Sequence, residues 1–214
     1  LSIEAIRERL QIIHQHGIKN VRVLDRTFNY NTRRAKELLE LFLEYHPDIR
    51  FHLEIHPALL SEELKEELKH LPEGLLHLEA GIQSLREPVL EKSRRMGKLT
   101  DALEGLKFLC SLPNMETHAD LIAGLPLYHL SEIFEDIRVL AAYGAGEIQL
   151  ESLKLLPGTE MRRRAEELGI QYSPLPPYEV LQTREINVSE LQTARQLSRL
   201  LDGFYNTPAW QSIT

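Results

Sequence analysis

Apolar and polar positions alternate in three short stretches of the chain. If residues 51–57 form a strand, Phe51, Leu53 and Ile55 point one way and His52, Glu54 and His56 the other, because successive side chains leave a strand on opposite faces. His77, Glu79 and Gln83 share a face in the next apolar stretch, and His118 and Asp120 share one in the stretch after that. A parallel strand buried on both sides reads instead as a near-continuous apolar run. Polar residues facing inward on neighbouring strands therefore point to a sheet curled around a polar, ligand-holding lumen. The competing reading makes each histidine a hydrogen-bonded core residue.

Between these stretches the spacing changes to that of helices. Ser2 is the expected N-cap of a helix over 3–16 that Gly17 ends, before a strand from Val21 to Leu24. A second helix runs from Thr32 to Tyr45 and stops at Pro47, and the strand Arg50 to His56 follows. Ser61 caps Glu62 to His70 in a capping-box-like start, with Leu64, Leu68 and Leu71 facing inward. The pattern then predicts a strand over 75–82, a helical region over 87–112 broken near Gly97, a strand over 117–122, a helix over 131–143 and a strand over 148–153. Strands separated by helices make a parallel α/β unit, since parallel neighbours need crossovers of this length. With helices on one face and polar residues on the other, the expectation is a partial TIM-like barrel of about five to six βα units, short of the eight in a complete barrel.

The order opens on a helix, so one strand of a regular barrel is expected ahead of Leu1. The edge left there would need cover from a dimer contact, a crystal neighbour or the N-terminal helix. Residues 1–160 read as the barrel portion. Residues 161–214 read as an extension: a charged helix over 161–168, a proline-containing linker over 173–178 and an amphipathic helix over 189–204.

Composition narrows the class. The 214 residues are 43% hydrophobic and 27% charged, which suits a soluble domain with a sizeable core rather than a disordered segment. The net charge of -7 and the scatter of basic residues along amphipathic helices argue against nucleic acid as a direct partner. No apolar run is long enough for a membrane helix and no signal-peptide pattern opens the chain, so a cytoplasmic location is expected. The single cysteine, Cys110, lies in a helical run and reads as a small buried hydrophobe rather than a nucleophile. A first residue of Leu1 rather than Met suggests an excerpt of a longer polypeptide.

Chemistry in such folds is carried by the loops after the strands. These read Asp25-Arg26-Thr27-Phe28-Asn29, Glu54-x-His56-Pro57, Gly81-Ile82-Gln83-Ser84, Asp120 to Pro126, and Leu155-Leu156-Pro157-Gly158-Thr159. Gln83 and Ser84 are followed by Val89, Leu90 and Arg95. This succession, from about Ser2 to Gly158, resembles the radical S-adenosylmethionine superfamily, especially the branch with oxygen-independent coproporphyrinogen oxidase and the cobalamin-binding radical enzymes.

The resemblance implies an iron-sulfur oxidoreductase that reductively cleaves S-adenosylmethionine, acting on a small-molecule or cofactor-pathway substrate. The implied contacts to S-adenosylmethionine are Glu54, Gln83, Arg95 and Asp120, with Gly81 and Gly124 letting backbone approach the nucleoside and Leu155 with Pro157 flanking the adenine. The residue types agree with these contacts, since Arg95 offers a planar fork to a carboxylate, while Glu54 and Asp120 accept from an ammonium group or ribose hydroxyls. The resemblance also implies a [4Fe-4S] cluster on three cysteines spaced C-x3-C-x2-C, and cobalamin on an upstream domain in part of the branch. The sequence departs from the pattern here, because that cysteine motif is absent. The cluster ligands are expected upstream of Leu1, and the chain as given is expected to be inactive by itself.

Two other readings stay open. His52-x-Glu54-x-His56, completed by His77 and His118, has the residue types for a divalent-metal hydrolase. A catalytically silent scaffold barrel would need none of these residues.

Overall fold

In the computed structural model, which describes residues 1–25, 27–207 and 209–210, strands and helices alternate as the apolar spacing predicts. The elements are α1 Ile3–Gln15, β1 Asn20–Arg22, α2 Thr32–Leu43, β2 Arg50–Ile55, α3 Glu62–His70, β3 Leu76–Gln83, α4 Glu87–Lys92, α5 Leu99–Cys110, β4 Glu116–Ala123, α6 Leu130–Ala142 and β5 Glu147–Ser152. They are followed by α7 Glu160–Arg163, α8 Ala165–Leu168, β6 Gln171–Tyr172, β7 Val180–Gln182 and α9 Val188–Leu200. The first five strands form one sheet in the order β1-β2-β3-β4-β5. The fold class is α/β, with the topology of a partial TIM-like barrel.

Local signals explain most boundaries. The Ser2 hydroxyl accepts from the Ala5 N–H and the Ser61 hydroxyl from the Leu64 N–H, satisfying helix-start donors that otherwise lack partners. For α2 the cap is Asn31, one residue earlier than Thr32, its amide oxygen accepting from the Arg34 N–H at 3.0 Å. The long helical region divides into α4 and α5 around Gly97, whose φ of 84° is left-handed backbone that glycine adopts without strain.

The chain divides into two compact units. The first comprises Leu1–Gly81 and Thr100–His118. In it β1, β2 and β3 pair in parallel, with Val21 beside Phe51, His52 beside His77 and Glu54 beside Glu79. The apolar faces of β2 and β3 are closed off: Phe51, Leu53, Leu76 and Leu78 are fully buried, and the Phe42 ring of α2 stacks on Phe51 with centroids 4.0 Å apart. The ladder on β1 extends beyond the strand, from the Lys19 carbonyl, which accepts from Arg50, to the Val23 N–H, which donates to His52. The predicted strand Val21 to Leu24 is thus shifted towards Asn20. Leu24 is exposed and has left the sheet.

The second unit comprises Ile82–Leu99 and Ala119–Thr214. Here α9 packs on β5, and Leu121, Ile133, Leu140, Ile148 and Leu191 form the core. The charged helix expected over 161–168 is two short pieces, α7 and α8, and the expected linker over 173–178 instead joins β6 to β7 as an antiparallel pair. The guanidinium of Arg162 lies over both the Tyr172 and Tyr178 rings, at 5.1 and 4.8 Å, tying α7 to that pair.

Candidate functional site

The polar face of the first unit is laid out by period two. Along β2 and β3, Phe51, Leu53, Ile55, Leu76, Leu78 and Ala80 are buried, while His52, Glu54, His77 and Glu79 alternate with them on the other side. In-register pairing places the His52 and His77 rings in a near-parallel stack 4.6 Å apart, and the His118 ring meets His77 edge-on at 5.9 Å. Glu79 is the hub of this face. Its carboxylate accepts from His52 Nε2 at 2.7 Å and from Arg22 at 2.5 Å, and Arg22 also reaches Glu54 at 3.5 Å. Burial alone would raise the Glu79 carboxyl, but the His52 hydrogen bond and the charges of Arg22, His52 and His118 outweigh it and hold the group below the usual carboxylate range. Arg50 donates to His77 Nδ1 at 3.1 Å and to Glu116 at 2.5 Å. Asn20, Val21, Arg22, Arg50, His52 and His77 line a cavity of about 290 Å³.

His56 does not continue this row. Strand β2 ends at Ile55, and the His56 main chain is held by Asn29, whose amide oxygen accepts from the His56 N–H at 2.8 Å and whose amide nitrogen donates to the His56 carbonyl at 2.9 Å. The ring is buried. The His52, Glu54, His56 trio therefore offers no strand-borne set of metal ligands, and His52 is already bonded to Glu79. Arg26, from the loop after β1, lies outside the described residues.

Of the residues expected at S-adenosylmethionine, Glu54 and Gly81 lie in the first unit, and Gln83, Arg95, Asp120, Gly124, Leu155 and Pro157 in the second. In the second unit, burial pushes the Arg95 guanidinium down from its ordinary value while the Asp120 charge opposes the shift. Gln83 ends β3 with a φ of 73° and Gly124 follows β4 with a φ of 92°, so backbone turns sharply at both strand ends. The two apolar candidates differ. Leu155 is 1% exposed, with its carbonyl accepting from Arg162 at 2.9 Å, whereas Pro157 lies open to solvent.

Sequence reasoning missed Asp136. This carboxylate is 1% exposed and gathers donors from Ser84, Leu85, Arg86 and Tyr128. A signal was present, since Ile133, Asp136 and Leu140 fall on one face of α6, an acid in the middle of its apolar stripe.

A guanidinium can offer a fork to an α-carboxylate and a carboxylate can accept from an ammonium group, so Arg95 and Asp120 have the donor and acceptor types that a methionine moiety would need. An iron-sulfur cluster does not fit these residues. The chain holds one cysteine, and burial pushes the Cys110 thiol up to about 11, away from the thiolate that ligates iron.

A sheet of sequential parallel strands with a polar face along β2 and β3 is the architecture of a barrel enzyme core. The chain belongs to the radical S-adenosylmethionine superfamily, whose family model matches residues 1–140. Residues 166–213 match a second model, a protein of unknown function (DUF4080). No curated protein sequence matches the chain. Among solved structures it is similar to TsrM from Kitasatospora setae, a radical S-adenosylmethionine methyltransferase with tryptophan substrate and a SAM analog bound, at 18% identity and a TM-score of 0.66. That likeness covers 92% of this chain and 40% of TsrM. SuiB from Streptococcus suis, bound to S-adenosylmethionine, is similar at 9% identity with a TM-score of 0.62, over 92% of this chain and 40% of SuiB. The archaeal Methanocaldococcus infernus Elp3 is similar at 14% identity with a TM-score of 0.55, over 91% of this chain and 58% of its own. These likenesses show the fold. The chain spans about two fifths of TsrM and of SuiB.

Proposed function

We propose that this chain is the S-adenosylmethionine-holding core of a radical S-adenosylmethionine iron-sulfur oxidoreductase, with Arg95 and Asp120 as its central cofactor contacts. The observation that carries the reading is the superfamily match over residues 1–140, within which Arg95 is desolvated by burial and the Asp120 charge opposes the resulting shift. Arg95 would orient the methionine carboxylate through parallel N–H donors, and Asp120 would accept from the ammonium group or a ribose hydroxyl. Gln83 and Gly124 would border the nucleoside at the ends of β3 and β4. Glu54 and Gly81 carry the same proposal on sequence position alone, as do Leu155 and Pro157 at the adenine. A [4Fe-4S] cluster would need cysteines that these residues do not provide, and when bound it would supply the electron for reductive cleavage of S-adenosylmethionine.

TsrM has been solved with cobalamin and a [4Fe-4S] cluster bound, and this supports cobalamin as a further cofactor on another domain. The substrate class is a small molecule or a cofactor-pathway compound, with no direct nucleic acid partner. A cytoplasmic setting belongs to the same reading, and no helix among the described residues is long and apolar enough to cross a membrane. The extent of the two family matches supports a barrel portion over 1–160 and an extension over 161–214. A self-association across the β1 edge completes the reading, since among the described residues β1 lies at the end of the strand order.

The test is cofactor affinity in the full-length, cluster-loaded protein under anaerobic reduction. Arg95→Ala removes a charge-assisted contact worth about 1.5 to 3 kcal/mol, so affinity should fall roughly ten- to a hundredfold. Asp120→Asn should weaken binding less, because an amide oxygen still accepts. An Arg95→Ala protein that binds S-adenosylmethionine as tightly as the parent, or a parent that forms no 5′-deoxyadenosine, would overturn the assignment.

A further inference from the structure

Asp136 is a carboxylate taken almost wholly out of water in the middle of α6. A buried charge is tolerated where its acceptor sites are filled, and here they are. Its Oδ2 accepts from the Leu85 N–H at 2.8 Å, the Tyr128 hydroxyl at 2.6 Å and the Ser84 hydroxyl at 3.4 Å. Its Oδ1 accepts from Arg86 Nε at 2.9 Å, while the same guanidinium reaches Glu135 at 2.6 Å. The Ser84 hydroxyl in turn accepts from the Arg86 N–H at 3.1 Å. Among the described residues the donors to Asp136 come from two places, residues 84–86 after β3 and Tyr128 after β4.

A left-handed residue that is not glycine stands directly ahead of the donors in each place. Gln83, with φ of 73°, directly precedes Ser84, and Leu127, with φ of 66°, directly precedes Tyr128. An L-residue is strained in this region and stays there where its surroundings leave no alternative. A set of bonds beginning one residue further along, converging on one buried carboxylate, supplies that constraint at both places. The clamp also reaches further. The Arg86 carbonyl accepts from the N–H groups of Val89 and Leu90 at the start of α4, and the Leu90 carbonyl accepts from the Arg95 N–H at 2.8 Å.

We propose that Asp136 is a positioning residue: one buried carboxylate of α6 braces the loops after β3 and β4 and, through α4, the backbone at Arg95, so that Gln83, Arg95 and Gly124 are pre-arranged for S-adenosylmethionine. This rests on the assignment of those residues under the proposed function. Pre-arrangement lowers the ordering cost of binding. A purely structural Asp136 would lower the melting temperature and leave the affinity of the folded protein unchanged.

The experiment compares the full-length, cluster-loaded parent with Asp136→Asn, Tyr128→Phe and Arg95→Ala. It reads S-adenosylmethionine affinity by equilibrium dialysis and amide hydrogen exchange in segments 82–86 and 125–128. Asp136→Asn keeps the side chain's size but turns a donor towards donors. It should weaken binding at least about tenfold and raise exchange in both segments together. Tyr128→Phe should raise exchange in 125–128 with a smaller loss of affinity. Arg95→Ala should lose affinity with exchange unchanged; if it binds as tightly as the parent, the cofactor assignment fails, while the exchange data still judge the brace. Parent-like affinity in a folded Asp136→Asn protein, or exchange unchanged in either segment, overturns the proposal. If Asp136→Asn does not fold, Tyr128→Phe and Arg86→Lys decide by the same two readouts, and parent-like values in both overturn it.

Discussion

Gly105 lies inside α5, where alanine would ordinarily be preferred by about 1 kcal/mol. A Cβ built there would sit 2.1 Å from the Pro57 carbonyl oxygen, 2.8 Å from its carbon and 3.3 Å from Leu60 Cδ1. Carbon and oxygen that are not bonded come no closer than about 3.3 Å, so one backbone segment has to move by roughly 1 Å. The obstructing atoms are main chain, and no rotamer relieves them. Overpacking of this kind costs about 3 kcal/mol or more, which exceeds the propensity gain and leaves Gly105→Ala less stable by about 2 kcal/mol or more. For a chain of this size that is a fall in melting temperature of about 4 to 8 °C, read by near-UV circular dichroism. Gly203→Ala is the control, since nothing lies within 4 Å of its Cβ position, and its melting temperature should stay within about 2 °C of the parent. A Gly105→Ala protein as stable as the parent would show that propensity outweighs the contact, and the account of why α5 approaches Pro57 so closely would be wrong.

Two further outcomes follow from the electrostatics. The Glu79 carboxyl is held below its usual range in the folded chain, so its contribution is present above the unfolded value of about 4.3 and is lost as pH falls through the folded value. Glu79→Gln should therefore be less stable than the parent at neutral pH, with the gap narrowing as acid titrates the parent below about pH 4, as followed by urea midpoints. The Cys110 thiol, pushed up to about 11 by burial, should react with iodoacetamide only slowly near neutral pH and faster as pH approaches that value, as read by intact mass. A rapid reaction at neutral pH would contradict the desolvation of this half-buried thiol.

Much of the fold was legible because its signals are local. The caps at Ser2 and Ser61, the break at Gly97 and the alternation along 51–55 and 76–83 each involve residues a few positions apart, and each is present. The hairpin of β6 and β7 was hidden because its strands are two and three residues long, too short for alternation to register, and are separated by prolines that read as linker. The polar face was legible as a face, but not as a network: that Glu79 serves both His52 and Arg22 depends on which strands lie adjacent. The brace at Asp136 was concealed for a related reason. Its partners lie from 8 to 52 positions away in sequence, and Glu132, Glu135 and Asp136 together look like an exposed acidic run.

Parallel strands in register set like beside like. Because His52 is level with His77, and Glu54 with Glu79, the residues form bands that run across the strands instead of alternating along the pairing direction. One band is made of imidazoles, and the other, about 6.6 Å further towards the C-terminal ends of the strands, is made of carboxylates. An antiparallel arrangement of the same two sequences would have run them in opposite directions and mixed the types. The face therefore carries a direction, aromatic nitrogen at one level and anionic oxygen at the next, and a molecule with unlike ends laid along β2 and β3 meets a surface that distinguishes which end leads.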